Sequence, residues 1–383
     1  MPLKIDGDSP KVVDVFAGVG GLSLGATRAG FSLRSAVEID ETALGTHSTN
    51  FPNTIHIAKD VSCLSGENLL YNSNLLPGEL TGLIGGPPCQ GFSFIGKRAL
   101  DDPRNSLFVH FFRLVAETGP AFFLAENVPG ILDERYTSIV EKAFSLVREK
   151  YHILSPFLAT ASDYGAPTNR KRVLFVGYDP SRFRALRSED FSPSITHEDQ
   201  IHVRRALAGL PSRIDSSWQT EKEGIRQIFK PTKISKGSFE HAYTDHIPLG
   251  VGNPEVIEKY KTSNEVYGCL GTRHSNAVET RFASLLPGEI DPISRAPRLD
   301  PNGFCPTLRA GTGKERGSHQ ALRPIHYEVP RVITPREAAR LQGFPDWFLF
   351  HSTKWHSFRQ IGNSVSPILA ERILLKIRGL YLS

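Results

Sequence analysis

The stretch Asp14–Ser23, with the sequence DVFAGVGGLS, contains the strongest indication of the fold. It overlaps an apolar run, Lys11–Phe16, which predicts a buried β-strand. The glycines that follow predict a tight turn, and the apolar run that ends at Gly30 predicts a helix beyond the turn. A strand that enters a glycine turn at the start of a helix is typical of α/β folds that bind nucleotides. Alone this signal is weak, because many such folds share it.

The rest of the first half of the chain repeats this alternation of strand and helix. Its pattern predicts strands at residues 33–39, 54–57, 83–84, 121–125, 152–159 and 173–177, and helices at residues 41–50, 107–115 and 138–150. This order predicts an α/β fold in which a mostly parallel sheet has helices on both faces. Residues 179–330 are rich in Pro, Gly, Ser and Thr and predict a smaller, loop-rich domain with one helical turn at residues 204–210.

Two motifs near the C-terminus predict that regular structure resumes. Thr334 as N-cap, Pro335 at the first helical position and Glu337 three residues after the cap form a capping box, so we predict a helix at residues 335–342. Residues 360–367, QIGNSVSP, lead into an apolar helix at residues 368–377. We therefore divide the chain into a first domain (1–178), a second domain (179–330), a connecting hinge segment (331–359) and a C-terminal helix that returns to the first domain (360–383).

Composition excludes several classes of protein. With 383 residues, 39% hydrophobic and 22% charged, the chain is predicted to be globular and can hold two domains. The start of the sequence, MPLKID, lacks a signal-peptide profile, and no apolar run approaches the ~20 residues that cross a bilayer, so we expect a cytoplasmic protein without a membrane partner. The four cysteines are widely spaced, without a CxxC pair or an HExxH cluster, which predicts neither a disulfide framework nor a metal site.

A second motif, GGPPCQGFS at residues 85–93, places a thiol in a tight turn directly after a predicted strand. Glu126 ends another strand, and Arg170 and Arg172 stand at the start of a third, so we expect these groups to meet at neighbouring strand ends. A thiolate from Cys89 that adds to C6 of cytosine makes C5 nucleophilic. A protonated Glu126 can donate to N3, and the two arginines can fix O2 and a flanking phosphate. Each residue alone has a plainer interpretation, as an inert thiol, a helix cap or solvated charges, but their coincidence favours this chemistry.

Two acidic strand ends favour an adenosyl ligand. Glu38 follows Gly18 by twenty residues, where a carboxylate can hold ribose hydroxyls, and this spacing fits either NAD or an adenosyl group. Ser23 stands where the third glycine of a dinucleotide-binding motif is expected. Asp60 follows the short strand at residues 54–57 and can meet the exocyclic amine of adenine.

Taken together and in this order, the motifs resemble those of the cytosine-C5 DNA methyltransferases of prokaryotic restriction–modification systems. The matching pieces are DVFAGVGGLS, VEID, KDV, GGPPCQGFS, AENVPG, NRKR, RVITPREAARLQGFPD and QIGNSVSP, which cover nearly all of the chain except residues 179–330. The resemblance implies an S-adenosylmethionine-dependent methyltransferase fold, with residues 179–330 as a target-recognition domain. It also implies methyl transfer to C5 of cytosine in a specific double-stranded DNA sequence, through base flipping and a covalent bond from cysteine to C6.

The resemblance assigns roles to individual residues. Cys89 is the implied nucleophile, Glu126 the partner of N3, and Arg170 and Arg172 the pair that positions the base. The residues expected to line the S-adenosylmethionine pocket are Phe16, Gly18, Gly21, Leu22, Glu38, Ile39, Asp60, Val61, Pro88, Asn363 and Val365. The residues expected to contact DNA are Gln90, Ser93, Arg104, Thr307 and Arg309.

The same resemblance implies double-stranded DNA as the partner, S-adenosyl-L-methionine as the cofactor, S-adenosyl-L-homocysteine as the product, and no metal. We expect a monomer, and a companion restriction endonuclease follows by analogy. Three alternatives remain open: a tRNA cytosine-C5 methyltransferase of the same family, a catalytically silent DNA-binding protein on the same fold, and a nicotinamide oxidoreductase. The tRNA-methylating branch carries a Cys-Phe-Thr element, whereas the cysteines here are followed by Leu, Gln, Leu and Pro.

Overall fold

The structure is a computed structural model that describes residues 9–88, 105–193, 195–196, 199–230, 239–244, 246–311 and 323–382. An eight-stranded sheet lies at its centre, in the order β3-β2-β1-β4-β5-β8-β6, with β7 also paired to β8. Its strands are β1 (Lys11–Val15), β2 (Ser32–Val37), β3 (Ile55–Ile57), β4 (Leu80–Gly85), β5 (Phe122–Asn127), β6 (His152–Ile153), β7 (Phe157–Thr160) and β8 (Lys171–Tyr178). Strands β1 to β5 are parallel, whereas β6, β7 and β5 each pair with β8 in the antiparallel direction.

Helices cover both faces of the sheet. In the first domain they are α1 (Gly21–Arg28), α2 (Glu41–Asn50), α3 (Gly66–Asn72), α4 (Asn105–Thr118) and α5 (Thr137–Ser145). The later part of the chain contains α6 (Val203–Leu207), α7 (Phe239–Thr244), α8 (Pro254–Ser263), α9 (Asn276–Ser284), α10 (Pro335–Gln342), α11 (Lys354–Asn363) and α12 (Pro367–Leu380), and a two-stranded sheet of β9 (Arg226–Gln227) and β10 (Glu265–Val266).

The central strands supply side chains to two separate cores. In β5, Phe122 and Leu124 belong to a cluster that includes α1 and α12, while Phe123 and Ala125 belong to a cluster that includes α3 and α4. This division follows from the alternation of side chains along a strand, and it explains why the strands are apolar at nearly every position. The predicted α/β fold, with a mostly parallel sheet between helices, is confirmed.

Helix α12 returns to the first domain and packs directly on α1. A Cβ atom at Gly25 would lie 2.4 Å from Cβ of Ala370, and one at Gly21 would lie 2.3 Å from the carbonyl oxygen of Val365. Glycine at these two positions therefore allows the C-terminal segment to approach the helix that follows the glycine turn.

The structure differs from the sequence-based predictions in several places, among them the unpredicted helices α3 and α11, the latter crossing the boundary placed at residue 360. The strand predicted at residues 152–159 is split into β6 and β7. The five residues from Ile153 to Phe157 lie opposite only four on β8, Leu174 to Gly177, and Pro156 lacks an N–H group. Helices α8 and α9 lie in the segment predicted to be mainly loops, although Asn253 as N-cap and Pro254 at the first helical position mark the start of α8.

Parts of the predicted second domain contact the first domain closely. The N–H group of Arg184 donates to the carbonyl of Leu380 (3.0 Å), and the Tyr164 hydroxyl donates to the carbonyl of Phe191 (2.7 Å). The N–H group of Gly252 donates to the carbonyl of Asn50 at the end of α2 (2.6 Å). The predicted recognition segment is thus anchored to the sheet-bearing domain at several places along its length.

Candidate functional site

The carboxyl ends of β4 and β5 lie side by side at one edge of the sheet, where antiparallel β8 begins. Gly86 follows β4, and a Cβ atom there would lie 3.3 Å from Oε2 of Glu126. The Asn127 side-chain amide donates to the carbonyl of Pro87 (3.3 Å), which ties the two strand ends together. Pro88 is the last described residue of this turn and is partly buried. Cys89, Gln90, Ser93 and Arg104 lie outside the described residues.

Glu126 and Arg172 form an ion pair at this edge. Nε of Arg172 contacts Oε1 of Glu126, and its Nη1 donates to the carbonyl of Lys171 (2.7 Å). Both side chains are buried, with Glu126 8% and Arg172 9% exposed. The arginine fixes one carboxyl oxygen, while Oε2 lies beside Gly86. The structure therefore brings together the carboxyl group, one of the two predicted guanidiniums and the turn that precedes Cys89.

Arg170 occupies a different environment from Arg172. Its side chain is buried, with Nη1 donating to the carbonyl of Leu308 (3.0 Å) and Nη2 to the carbonyl of Gly362 (2.8 Å). It joins the start of β8 to the recognition segment and to the end of α11. The role predicted for Arg170 at the base stays a prediction, and the geometry adds a role in holding these three segments together.

The glycine turn after β1 is built around Glu38. Its Oε2 accepts from the N–H group of Gly18 (2.9 Å) and its Oε1 from the N–H group of Asp40 (2.9 Å). Phe16, Gly18 and Gly20 all have positive φ angles of 60°, 56° and 100°. Burial raises the pKa of Glu38, and the two N–H donors oppose that shift. The turn and the carboxylate predicted to bind the cofactor are therefore in direct contact.

The other residues predicted to bind the cofactor differ in how far they are exposed to solvent. Ile39 is 64% exposed. The Asp60 carboxylate accepts from the N–H group of Ser62 (2.8 Å) at the start of a short 3₁₀ turn whose first residue, Val61, is buried. Leu22 is also buried and belongs to the core beneath the turn.

The C-terminal segment completes this edge. Val365 is nearly buried and presents its carbonyl to Gly21, whereas Asn363 is exposed at the end of α11. These two residues lie more than 300 positions after the glycine turn in the sequence. The packing of α12 on α1 brings them close to it.

A polar chain beneath the turn was missed by the sequence analysis. Asp14 is fully buried in β1 and lies 2.6 Å from the Ser23 hydroxyl, which in turn contacts His47. Ser23 was noted only for not being glycine. The signal that could have identified these hydrogen-bonded side chains is the Asp within an apolar strand. An isolated carboxylate is costly in a core, so a buried Asp needs polar partners.

Two of the residues predicted to contact DNA, Thr307 and Arg309, lie on a segment that is hydrogen-bonded to residues just before β8. Cys305 donates its N–H group to the carbonyl of Pro167 (2.9 Å) and accepts from the N–H group of Asn169 (3.0 Å). Beyond this anchor Thr307 is half-buried and Arg309 is exposed. Thr307 and Arg309 are therefore accessible from solvent close to Arg170, while their contact with DNA stays a prediction.

Two of the three cysteines in the described part of the chain, Cys269 and Cys305, have buried thiols. Cys63, Cys269 and Cys305 are free, and burial raises the pKa of Cys269 to about 12 and that of Cys305 still further. Such thiols react poorly because the thiolate is the nucleophile. Among the described residues no group of three or more His, Cys, Asp or Glu side chains could hold a metal ion, and no helix is long and apolar enough to cross a membrane.

Comparison with known proteins identifies the family. The sequence model of the C-5 cytosine-specific DNA methylases matches residues 10–379. The chain belongs to the C-5 cytosine-specific DNA methylase family. It is therefore a DNA cytosine-C5 methyltransferase, which favours the enzyme over the silent DNA-binding protein and the oxidoreductase.

Individual relatives of this DNA methylase agree with that assignment. The chain is 37% identical to the type II methyltransferase M.XorII of Xanthomonas oryzae pv. oryzae over 95% of this chain and 83% of the relative. It is 32% identical to the type II methyltransferase M.DdeI of Desulfomicrobium norvegicum over 96% of this chain and 88% of the relative.

Solved structures show the same fold. A candidate DNA modification methyltransferase encoded within a prophage (E. coli) superposes with a TM-score of 0.86 at 53% identity, covering 97% of this chain and 99% of that one. The S. pombe Dnmt2 methyltransferase superposes with a TM-score of 0.61 at 15% identity, over 97% and 99% of the two chains, which shows a shared fold only.

Proposed function

We propose that this DNA methylase transfers a methyl group from S-adenosylmethionine to C5 of one cytosine in a specific double-stranded DNA sequence, while the Cys89 thiolate is bonded to C6. The observation that carries this proposal is the meeting of three strand ends. At these strand ends the turn before Cys89 lies beside Glu126, and Glu126 forms an ion pair with Arg172. A thiolate, a carboxyl group and a guanidinium at one edge can attack C6, stabilise the charge that develops on N3 and orient the ring.

The glycine turn fits an adenosyl cofactor. Each Glu38 oxygen accepts one backbone N–H group, which leaves lone pairs free for two ribose hydroxyls. The exposed Ile39 offers an apolar face to the adenine ring, and a Cβ atom at Gly18 would meet nothing within 4 Å, so open space lies beside the turn. When bound, S-adenosylmethionine supplies an electrophilic methyl group on a sulfonium.

The remaining cofactor residues complete the proposed pocket from other segments. Asp60 would accept from the adenine amine, and Phe16, Pro88 and Val365 would supply apolar surface around the turn. Asn363 supplies an exposed side-chain amide. S-adenosyl-L-homocysteine would leave the same pocket as product.

DNA contact is proposed for the exposed Arg309, its neighbour Thr307, and Gln90, Ser93 and Arg104. Because C6 is hidden within a base-paired stack, the target cytosine must rotate out of the duplex, which costs a few kcal/mol. A specific site is implied by the length of residues 179–330, which offer more surface than methyl transfer itself needs.

The relatives named as type II methyltransferases support a further proposal about context. We infer that methylation by this enzyme protects DNA from a companion restriction endonuclease in the cytoplasm of a prokaryote, with the methyltransferase acting as a monomer.

Sequencing of DNA after cytosine conversion tests the proposal. Genomic DNA from cells that express the chain should show protected cytosines within one short motif, and Cys89→Ser should abolish them. Ser145→Ala is the control, since Ser145 is exposed at the end of α5 and belongs to neither half of the proposed site. Protected cytosines that persist at full level in Cys89→Ser would overturn the covalent route, and a lack of protection by the unaltered chain would overturn the activity.

A further inference from the structure

Four polar side chains form a continuous hydrogen-bonded chain beneath the glycine turn. Asp14 of β1 lies 2.6 Å from the Ser23 hydroxyl of α1, Oδ2 to Oγ. That hydroxyl lies 3.0 Å from Nε2 of His47 in α2, and Nδ1 of His47 lies 2.9 Å from Nε2 of His56 in β3. Four elements of the cofactor half of the molecule, β1, α1, α2 and β3, thus each contribute one member.

Only one end of this hydrogen-bonded series lies near solvent. Asp14, Ser23 and His47 are each 0% exposed, whereas His56 is half-buried and is the member nearest to solvent. The second oxygen of Asp14, Oδ1, is also buried and has no hydrogen-bond partner among the described residues. A proton that enters or leaves Asp14 along these bonds does so through His56.

The chain also supports the glycine turn mechanically. A Cβ atom at Gly20 would lie 2.4 Å from Cε2 of Phe51 and 3.1 Å from Cδ2 of His47. The His47 and Phe51 rings are themselves in contact, with centroids 4.3 Å apart. His47 therefore lies directly beneath the glycine turn. In the same turn, the N–H group of Gly18 donates to Glu38.

Donor counting allows two proton arrangements. With Asp14 ionised, Ser23 donates to Asp14, Nε2–H of His47 donates to Ser23, and Nε2–H of His56 donates to Nδ1 of His47. With Asp14 protonated, every bond reverses: Asp14 donates to Ser23, Ser23 to Nε2 of His47, and Nδ1–H of His47 to His56. The second arrangement holds one more proton than the first, and that proton is exchanged with water at His56.

We propose that His47 is a positioning residue for the methyl donor, and that Asp14 loses its proton through Ser23, His47 and His56 when the cationic cofactor binds at the glycine turn. The inference rests on the proposed function, since it takes S-adenosylmethionine to be the ligand of this turn. S-adenosylmethionine carries one more positive charge than S-adenosylhomocysteine. A buried carboxylate two residues before Phe16 attracts that charge, so ionised Asp14 favours the donor over the product.

The surroundings of Asp14 bring the pKa of its carboxyl group close to neutral pH. Burial raises the pKa of Asp14 to about 7, the Ser23 hydrogen bond opposes this shift, and the neighbouring Glu38 adds to it. Burial holds the pKa of His47 well below its usual value, and the nearby His56 lowers it further, so His47 stays neutral and can relay either direction. Burial also lowers the pKa of His56, against a hydrogen bond to the backbone of Thr54.

Binding measured against pH tests the inference. Between pH 8 and pH 6 the Kd of the unaltered enzyme for S-adenosylmethionine should rise about tenfold, because the competent, ionised form of Asp14 falls from most to about a tenth of the molecules. For S-adenosylhomocysteine the rise should be less than about threefold, because a neutral thioether gains less from the carboxylate. Isothermal titration in buffers of different ionisation enthalpy counts the released proton directly.

Substitutions separate proton coupling from simple support. His47→Phe keeps the ring but removes both hydrogen bonds, and these bonds are stronger when they point at a charged carboxylate. The pKa of Asp14 should rise, so Kd for S-adenosylmethionine should be unchanged at pH 9 and about tenfold weaker at pH 7. His56→Leu, at the half-buried end, should shift the curve in the same direction by less. His152→Leu is the control, since His152 is exposed on β6.

The outcomes are distinct. Curves that converge at high pH and separate below it, with a smaller effect for S-adenosylhomocysteine, support the inference. A variant weaker by one factor at every pH, or an unaltered enzyme whose Kd does not depend on pH, overturns it while the proposed function stands. An unaltered enzyme that does not bind S-adenosylmethionine overturns the proposed function and the inference together.

Discussion

At the residue scale, the ion pair between Glu126 and Arg172 organises the catalytic edge. Arg172 fixes one carboxyl oxygen, and the other lies beside the turn that leads to Cys89. The glycine turn, where Glu38 binds the N–H group of Gly18, follows a different strand, β1. The two halves of the site should therefore respond separately to substitution.

Glu126→Gln tests this separation. The amide keeps the shape but loses the charge that pairs with Arg172 and cannot exchange a proton with N3, so the single-turnover rate of methyl transfer should fall at least about 100-fold. The Kd for S-adenosylmethionine should change less than threefold, as measured by titration calorimetry. Glu141→Gln, at an exposed ion pair with Arg148, is the control and should leave both values unchanged. An equal loss of rate and of cofactor affinity would show that the two halves are not separate.

At the scale of elements, close contacts between α1 and the C-terminal segment hold the site together. Gly21 and Gly25 allow Val365 and Ala370 to approach α1, and Val365 belongs to the proposed cofactor pocket. Stability and cofactor binding should therefore be linked at this contact.

Gly21→Ala should lower the free energy of unfolding by about 1–3 kcal/mol, because its Cβ atom would lie 2.3 Å from a carbonyl oxygen and the backbone must shift. Gly45→Ala in α2 is a control of opposite sign, since nothing lies within 4 Å of a Cβ atom there and alanine favours the helix by about 0.5–1 kcal/mol. Denaturant unfolding of both variants measures these changes. A Gly21→Ala protein as stable as the unaltered chain would show that the contact is loose.

Local signals explain how far the elements could be predicted. Helix α10 was predicted to the residue because Thr334, Pro335 and Glu337 encode a capping box that the structure contains, and its end at Gly343 has a positive φ of 96°. Helix α8 carries a similar start signal at Asn253 and Pro254, yet it was missed because its apolar face is short, with Val256 and Tyr260 buried. The contacts of Arg170 could not be predicted, because Leu308 and Gly362 are 138 and 192 positions away along the chain.

At the scale of the whole molecule, the recognition segment and the catalytic edge share one anchor. Residues around Cys305 are hydrogen-bonded to the start of β8, and Arg170 binds both Leu308 and Gly362. DNA contact by Arg309 would thus occur close to the strand ends that carry Glu126 and Arg172. The family was recognisable from motif order in the sequence, whereas this shared anchor is visible only in the fold.

Arg309→Ala should weaken DNA binding severalfold and reduce the slope of log affinity against log salt by about 1, if its guanidinium neutralises one phosphate. The Kd for S-adenosylmethionine should stay the same. Arg148→Ala, an exposed arginine on the first domain, is the control. DNA affinity that is unaltered at all salt concentrations would remove Arg309 from the proposed interface.

The most direct measurement concerns the bond between Cys89 and the base. The enzyme is incubated with S-adenosylmethionine and a duplex that carries 5-fluorocytosine at the position methylated in cells, and the mixture is then denatured. Because fluorine at C5 blocks the elimination that frees the enzyme, we predict a one-to-one protein–DNA species that survives denaturant and is absent with Cys89→Ser. Failure to trap any such species, on a site that the enzyme methylates when it carries ordinary cytosine, would contradict the account.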